Sequence, residues 1–228
     1  MTPAEHLEAQ KNSLSARQGS EAWFAARLGK VTASRVCDVI AKTKTGWGAS
    51  RANYMAALIA ERLTGQPEET YQSAAMLRGT ETEPQARAAY EFYSGNIVEP
   101  VGFCEHPTIE QAGASPDGKI DLTATLALAL VEIKCPNTAT HIDTLLSQTV
   151  PTKYIPQMQF QMACTGAEWC DFVSFDPRMP PSMRLFTERV MRDDKVIAEL
   201  EKEIQIFLNE LESRVTGLRQ LYEKPEAA

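Results

Sequence analysis

Ser115-Pro116-Asp117-Gly118 is followed, fifteen positions after Asp117, by Glu132-Ile133-Lys134. Pro116 and Gly118 predict a turn that exposes the Asp117 carboxylate. In a strand, period-two alternation puts Glu132 and Lys134 on one face and Ile133 on the other. Two carboxylates and a lysine that converge at a sheet edge can hold a hard divalent cation such as Mg²⁺, which prefers oxygen ligands. The lysine can then orient or deprotonate a water on that ion, once a neighbouring cation lowers its proton affinity. Phosphodiester cleavage needs those parts.

Each piece also has a plainer reading. Pro-Asp-Gly is a common turn, and Glu-x-Lys is a common solvated strand face. The setting favours chemistry. Leu130-Val131-Glu132-Ile133-Lys134-Cys135 is a buried-type run broken by two charges, and unpaired buried charge is costly.

The elements that must position these residues are legible in outline. Ser20 can cap a helix over Glu21 to Leu28 that Gly29 stops, and Thr32 can cap a second over Ala33 to Lys42, with Gly46 and Gly48 in the loop beyond. Ala49 to Leu63 and Glu81 to Tyr93 read as helices closed by Gly65 and by Ser94-Gly95. Ile97 to Cys104, Gln111 to Ser115, Leu130 to Cys135, Cys170 to Phe175 and Leu185 to Val190 are rich in Val, Ile and Phe and predict strands. Between the third and fourth, His141 to Leu146 and Tyr154 to Cys164 read as helical. Asp193 or Asp194 caps a last helix reaching about Tyr222. Its stripe of Ile197, Leu200, Ile204, Leu208, Leu211, Val215 and Leu218 serves either core packing or a subunit interface. The class is α/β (α+β), with one domain over residues 1–228 and 193–224 as its C-terminal helix.

Composition narrows the field further. The 228 residues are 43% hydrophobic and 23% charged, with a net charge of -7, which fits a globular chain and excludes a disordered acidic tail or a low-complexity polymer. The first twenty residues hold no secretory apolar run and no stretch is long enough for a membrane span, so a cytoplasmic setting is expected. Cys37, Cys104, Cys135, Cys164 and Cys170 are odd in number, form no CxxC pair and accompany only His6, His106 and His141. Buried free thiols are expected, not a zinc or iron–sulfur site. An acidic chain is not an obvious DNA partner, but the charge is uneven. Arg27 to Arg51 carries six bases against Asp38, net +5, whereas Asp193 to Glu226 carries nine acids against five bases, net -4. That asymmetry suggests a basic inner surface for DNA and an acidic exterior.

The sequence resembles the nucleases with the Pro-Asp…(Asp/Glu)-x-Lys signature, and within them the phage lambda exonuclease family of viral recombination. Trp23…Arg27-Leu28-Gly29…Thr32-Ala33-Ser34, Arg78-Gly79…Glu83, Ser115-Pro116-Asp117-Gly118, Glu132-Ile133-Lys134-Cys135-Pro136, Tyr154…Gln157-Met158-Gln159 and Asp176-Pro177-Arg178-Met179 follow in the family's order. The resemblance implies a restriction-endonuclease-like mixed central β-sheet flanked by α-helices. It implies Asp117 and Glu132 as Mg²⁺ ligands, helped by the Ile133 carbonyl, with Lys134 activating or positioning the attacking water. Glu83 completes the metal site through ions or waters, or else is a helix-face salt bridge. Arg27, Ser34, Ser115 and Gln157 resemble the pocket for a terminal 5′-phosphate; a helix start at Ser34 suits an anion, although it could be only a cap. Lys44 stands where the family carries a basic residue reaching into the DNA groove, and Met76 where it carries an apolar wedge; arginine and leucine are usual there. The spacing from Asp117 to Glu132 is also longer than usual, filled by Asp121 to Ala129 as a hairpin tip.

What the resemblance implies is a Mg²⁺-dependent 5′→3′ exonuclease, with two ions and Mn²⁺ as a substitute. It would degrade one strand of linear double-stranded DNA to mononucleotides and leave a 3′ overhang. A ring-shaped homotrimer, a single-strand annealing protein as partner, and a phage or prophage gene in a bacterial cytoplasm go with it. Another nuclease or endonuclease on the same core is the alternative, and a non-catalytic DNA-end-binding recombination protein is a further one.

Overall fold

The computed structural model describes residues 16–68, 73–122 and 127–223. His6 and the rest of the first fifteen residues, the centre of the expected hairpin tip at 123–126, and the tail from 224 lie outside the described residues. Its centre is a five-stranded sheet made of β4 (Val98–Glu99), β7 (Gly118–Leu122), β8 (Ala127–Lys134), β9 (Trp169–Phe175) and β10 (Leu185–Met191). Their spatial order is β10-β9-β8-β7-β4, with β8 and β9 parallel and the other neighbours antiparallel. The parallel pair requires a crossover, supplied by α5 (Thr138–Ser147) and α6 (Ile155–Thr165). Beside it a three-stranded sheet joins β1 (Val31–Thr32), β6 (Ala112–Ala114) and β5 (Cys104–Glu105).

Side-chain alternation along β8 decides what each layer receives. Ala129, Val131 and Ile133 pack with Ala86 and Tyr90 of α4 (Ala74–Ser94), while Leu130 packs with Met158 and Met162 of α6. Glu132 and Lys134 therefore share the α6 side, as the sequence pattern predicts. A third apolar cluster joins Val36 and Val39 of α2 (Val36–Val39), Tyr54 and Leu58 of α3 (Ala49–Thr64), and Ile204, Phe207 and Leu211 of α7 (Asp194–Tyr222). The stripe of the last helix thus packs within the chain. Asp193 caps it by accepting from the Lys195 and Val196 amides.

The element boundaries differ from expectation in instructive places. Ser20 does cap α1 (Glu21–Arg27), accepting from the Trp23 amide. The helix expected over Ala33 to Lys42 is only a 3-10 turn at Ala33–Arg35 followed by α2, and Thr32 makes no side-chain cap. Its hydroxyl instead meets Ser34 Oγ at 3.3 Å, and its amide donates to the Tyr54 hydroxyl. The chain then turns through a small hairpin of β2 (Lys42–Thr43) and β3 (Gly46–Trp47). Helix α4 starts seven residues before the predicted Glu81, capped by Ser73 and running through Pro84. The single strand expected over Ile97 to Cys104 is two short pieces, β4 and β5, and Gly118 to Leu122, read as turn and hairpin tip, is a strand.

Candidate active site

Two elements deliver the central pair. Asp117 stands between β6 and β7, and Glu132 near the end of β8, whose neighbour β7 begins at Gly118 opposite Val131. The Asp117 Oδ2 accepts from the Ile133 amide at 2.7 Å, which fastens the loop carboxylate to the strand. The same turn is held through its backbone. Gln18 Nε2 donates to the Pro116 carbonyl at 2.8 Å and Arg87 Nη2 to the Asp117 carbonyl at 2.8 Å. Gly118 lies so close to β4 that an added Cβ would come 2.2 Å from Val98 Cγ1. A larger residue would push the turn off the sheet.

The electrostatics follow from burial. Asp117 holds its proton well above the ordinary carboxylate range because it is desolvated and because Glu132, and more weakly Glu83, repel a second negative charge; Lys134 and the Ile133 amide oppose this. Burial alone would lower the Lys134 ammonium, but Glu132 and Asp117 more than offset it and raise it above the usual lysine range. Lys134 is ion-paired to Glu132 and lies 5.3 Å from the Tyr154 ring. Glu132 itself is 1% exposed.

That donor set suits Mg²⁺. Among the described residues no three His, Cys, Asp or Glu side chains gather closely enough to hold a metal ion, and Glu83 is drawn aside to Arg87 at 3.3 Å. Mg²⁺ does not require three, because it commonly takes one or two carboxylates and completes its octahedron with waters and substrate phosphate. Two repelling carboxylates held together beside a buried strand are the feature a divalent cation would relieve.

Of the residues expected to hold phosphate, Arg27 and Ser34 line a neighbouring cavity, and Ser115 is tied to it through Arg27 and Trp23. Arg27 Nη1 donates to Ser115 Oγ at 3.0 Å, Trp23 Nε1 donates to the same oxygen at 2.9 Å, and the guanidinium lies 4.0 Å over the Trp23 ring. With two donors on its oxygen, the Ser115 hydroxyl keeps its proton for an acceptor such as phosphate. Ser34 is exposed and lines the same cavity, and the short turn it occupies lacks the helix dipole expected there. A cavity of about 420 Å³ is lined by Arg27, Ser34, Arg35 and Met76, and a second of about 420 Å³ by Met76, Arg78, Glu83 and Lys134. Met76, 56% exposed in the first turn of α4, is shared by both and stands between them. Lys44 projects at the exposed tip of the β2–β3 hairpin.

Gln157 is placed differently from expectation. Its amide donates to Glu132 Oε1 at 2.5 Å, within the Asp117, Glu132 and Lys134 cluster and not among the residues lining the Arg27 cavity. Gln161, one helical turn on, donates to Glu132 Oε2 at 2.6 Å. Sequence reading passed over Gln161, although two glutamines at i and i+4 amid Met158, Phe160 and Met162 mark one polar line on a buried helix. Arg87 was also missed; its pairing with Glu83 is an ordinary i,i+4 contact, and its reach to Asp117 is a tertiary one.

The charge asymmetry is partly cancelled in space. Acidic α7 pairs Glu203 with Lys42 at 2.8 Å, Glu210 with Arg51 at 2.8 Å and Glu212 with Arg62 at 3.0 Å. Lys30 and Arg35 pair with Glu105 and Asp38. Among the described residues, only Arg27 and Lys44 of the six bases from Arg27 to Arg51 form no ion pair. Fewer of these bases are therefore free of an acidic partner than composition suggests.

No curated protein matches the chain. The fold is similar to the alkaline exonuclease LHK-Exo of Laribacter hongkongensis, at 55% identity and a TM-score of 0.80 over 88% of this chain and 97% of that one. LHK-Exo in complex with dAMP matches equally. A phage-related exonuclease of Haemophilus somnus 129PT, at 16% identity and a TM-score of 0.66 over 83% of this chain and 96% of that one, shares the fold. The central mixed sheet between helices is the restriction-endonuclease-like arrangement. Residues 22–168 match the YqaJ-like viral recombinase domain, and with that match, the LHK-Exo likeness and the Asp117, Glu132 and Lys134 cluster, the chain belongs to the YqaJ-like viral recombinase family, which is lambda exonuclease-like.

Proposed function

We propose that the protein is a Mg²⁺-dependent 5′→3′ exonuclease that enters linear double-stranded DNA at a 5′-phosphorylated end and releases mononucleotides. The observation that carries this is the adjacency of two openings that share Met76: one holds Arg27, the other Lys134 and Glu83. A terminal phosphate held by Arg27, Ser34 and Ser115 would place the first phosphodiester toward Asp117 and Glu132, with Met76 parting the end of the duplex. The alkaline exonuclease likeness supports an exonuclease, and the dAMP complex of LHK-Exo supports a site that accepts a nucleoside monophosphate.

Asp117 and Glu132 would hold Mg²⁺, with Mn²⁺ able to replace it, together with the Ile133 carbonyl and, through water, Glu83. The ion supplies Lewis-acid stabilisation of the phosphoryl oxygens, and a two-ion arrangement would serve both the attacking and the leaving oxygen. The chain's own part is positional. The Ile133 amide fixes Asp117, Gln157 and Gln161 fix Glu132, and Lys134, paired to Glu132, would orient the attacking water. A 3′ overhang, a homotrimer threaded by DNA, a single-strand annealing partner and action in a bacterial cytoplasm complete the proposal; no helix among the described residues is long and apolar enough to cross a membrane.

The test is incubation of a 5′-phosphorylated linear duplex and a covalently closed circle with Mg²⁺ or with EDTA. Metal-dependent loss of the linear duplex alone is expected. No metal-dependent loss would overturn the enzyme reading, and equal digestion of circles would overturn the exonuclease.

A further inference from the structure

Helix α6 is buried along Met158 to Ala163, yet two of its inward positions are amides. Gln161 is 0% exposed, and its Nε2 is spent on Glu132 Oε2 while its own Oε1 is buried with no hydrogen-bond partner. A buried carbonyl without a donor costs stability, so an apolar side chain would suit the helix better. The position keeps an amide at that cost, and the amide does one thing: it grips the carboxylate.

The grip is lopsided in a useful way. Glu132 Oε1 is shared by Gln157 and Lys134, whereas Oε2 has Gln161. Gln157 and Lys134 are partly exposed, whereas Gln161 is fully buried.

We infer that Gln161 is a positioning residue that locks Glu132 by Oε2, leaving Oε1 as the oxygen that Gln157 and Lys134 release to a metal ion. This rests on the Mg²⁺ reading above. Partners of this kind typically set metal affinity by about 10- to 100-fold when removed.

The experiment measures Mn²⁺ binding to the DNA-free protein by electron paramagnetic resonance, alongside far-UV circular dichroism, for wild type, Gln161→Met, Gln161→Asn and Asp117→Asn. The expected result is a folded Gln161→Met with Mn²⁺ affinity about 10- to 100-fold weaker, and a comparable loss for Gln161→Asn, whose amide falls one methylene short. Wild-type affinity in either Gln161 variant overturns the inference, as does unfolding of both, which would make the role structural. If wild type binds no Mn²⁺, or Asp117→Asn binds it as well as wild type, the metal reading itself fails.

Discussion

Arg27→Ala separates a phosphate pocket from a structural contact. Nη1 of Arg27 is committed to Ser115 and one guanidinium face is covered by Trp23 at 4.0 Å. Burial lowers the proton affinity of the guanidinium, with Tyr54 and Glu61 opposing, so the charge is desolvated and has no ion-pair partner among the described residues. A terminal phosphate would meet the remaining N–H edge as about one charge-assisted hydrogen bond, worth ~1.5–3 kcal/mol. At about 1.4 kcal/mol per factor of ten, Arg27→Ala should slow initiation by about 10- to 150-fold. The assay is single-turnover release of the first nucleotide from 5′-phosphate and 5′-hydroxyl duplexes by wild type and variant, which forms a cycle. Wild type should lose rate when the phosphate is removed, and the variant should lose clearly less. An equal penalty for Arg27→Ala on both ends would refute the pocket, because it would show an effect that does not pass through the phosphate.

Lys134→Ala should keep the fold and lower metal-dependent duplex loss by about 10²–10⁴; a variant within a few-fold of wild type would remove Lys134 from the chemistry. Asp176 is desolvated, but hydrogen bonds from Arg178 and Thr138 outweigh that and hold its proton affinity far below the ordinary range. The unfolded chain then binds the extra proton as pH falls through and below the usual carboxylate range, so this stabilisation is present at neutral pH and lost in acid. Asp176→Asn should lower the thermal midpoint at pH 7 and flatten its decline below about pH 4, and an unchanged acid limb in calorimetry would contradict the assignment. Glu203→Gln frees Lys42 beside Lys44 and should steepen the slope of log affinity for DNA against log salt by about 0.9; an unaltered slope would place the hairpin away from phosphate.

What the sequence made legible is local, and what it hid is long-range. Glu132 and Lys134 share a face because strand alternation is fixed by the backbone, and the structure puts Ile133 in the opposite layer. Ser20, Gly65 and Asp193 were readable as helix ends for the same local reason. Thr32 misled because its hydroxyl has a nearer partner in Ser34, and its amide is taken by Tyr54 from another helix. Gly118-Lys119-Ile120-Asp121-Leu122 alternates as a strand should, but its turn-like start outweighed that pattern until pairing with Ala127 to Val131 was seen. The two-residue β1 is too short to leave any periodic signal; it exists only because Ala112 and Gly113 lie alongside. In the candidate site, residue types and order sufficed to expect Asp117, Glu132 and Lys134 in one cluster, and the structure brings them together. Gln157 and Gln161 needed the crossover that brings α6 against β8, since nothing local says which carboxylate a helix amide will meet.

Charge shows the same division between composition and placement. A net charge of -7 argues against DNA only if the acids and bases act separately, and here acidic α7 lies along the basic N-terminal segment and consumes Lys42, Arg51 and Arg62 in ion pairs. A chain that neutralises its own bases weakens nonspecific attraction to duplex DNA, because fewer phosphates are matched and fewer counterions released. The bases left without ion pairs among the described residues of that stretch, Arg27 and Lys44, line the cavity and stand at the hairpin tip. On the proposed function, affinity would be concentrated where a DNA end enters, next to the opening lined by Glu83 and Lys134 that shares Met76. If the proposed function holds, an acidic protein arranged this way would engage DNA ends without coating duplex DNA, which a uniformly basic surface could not do.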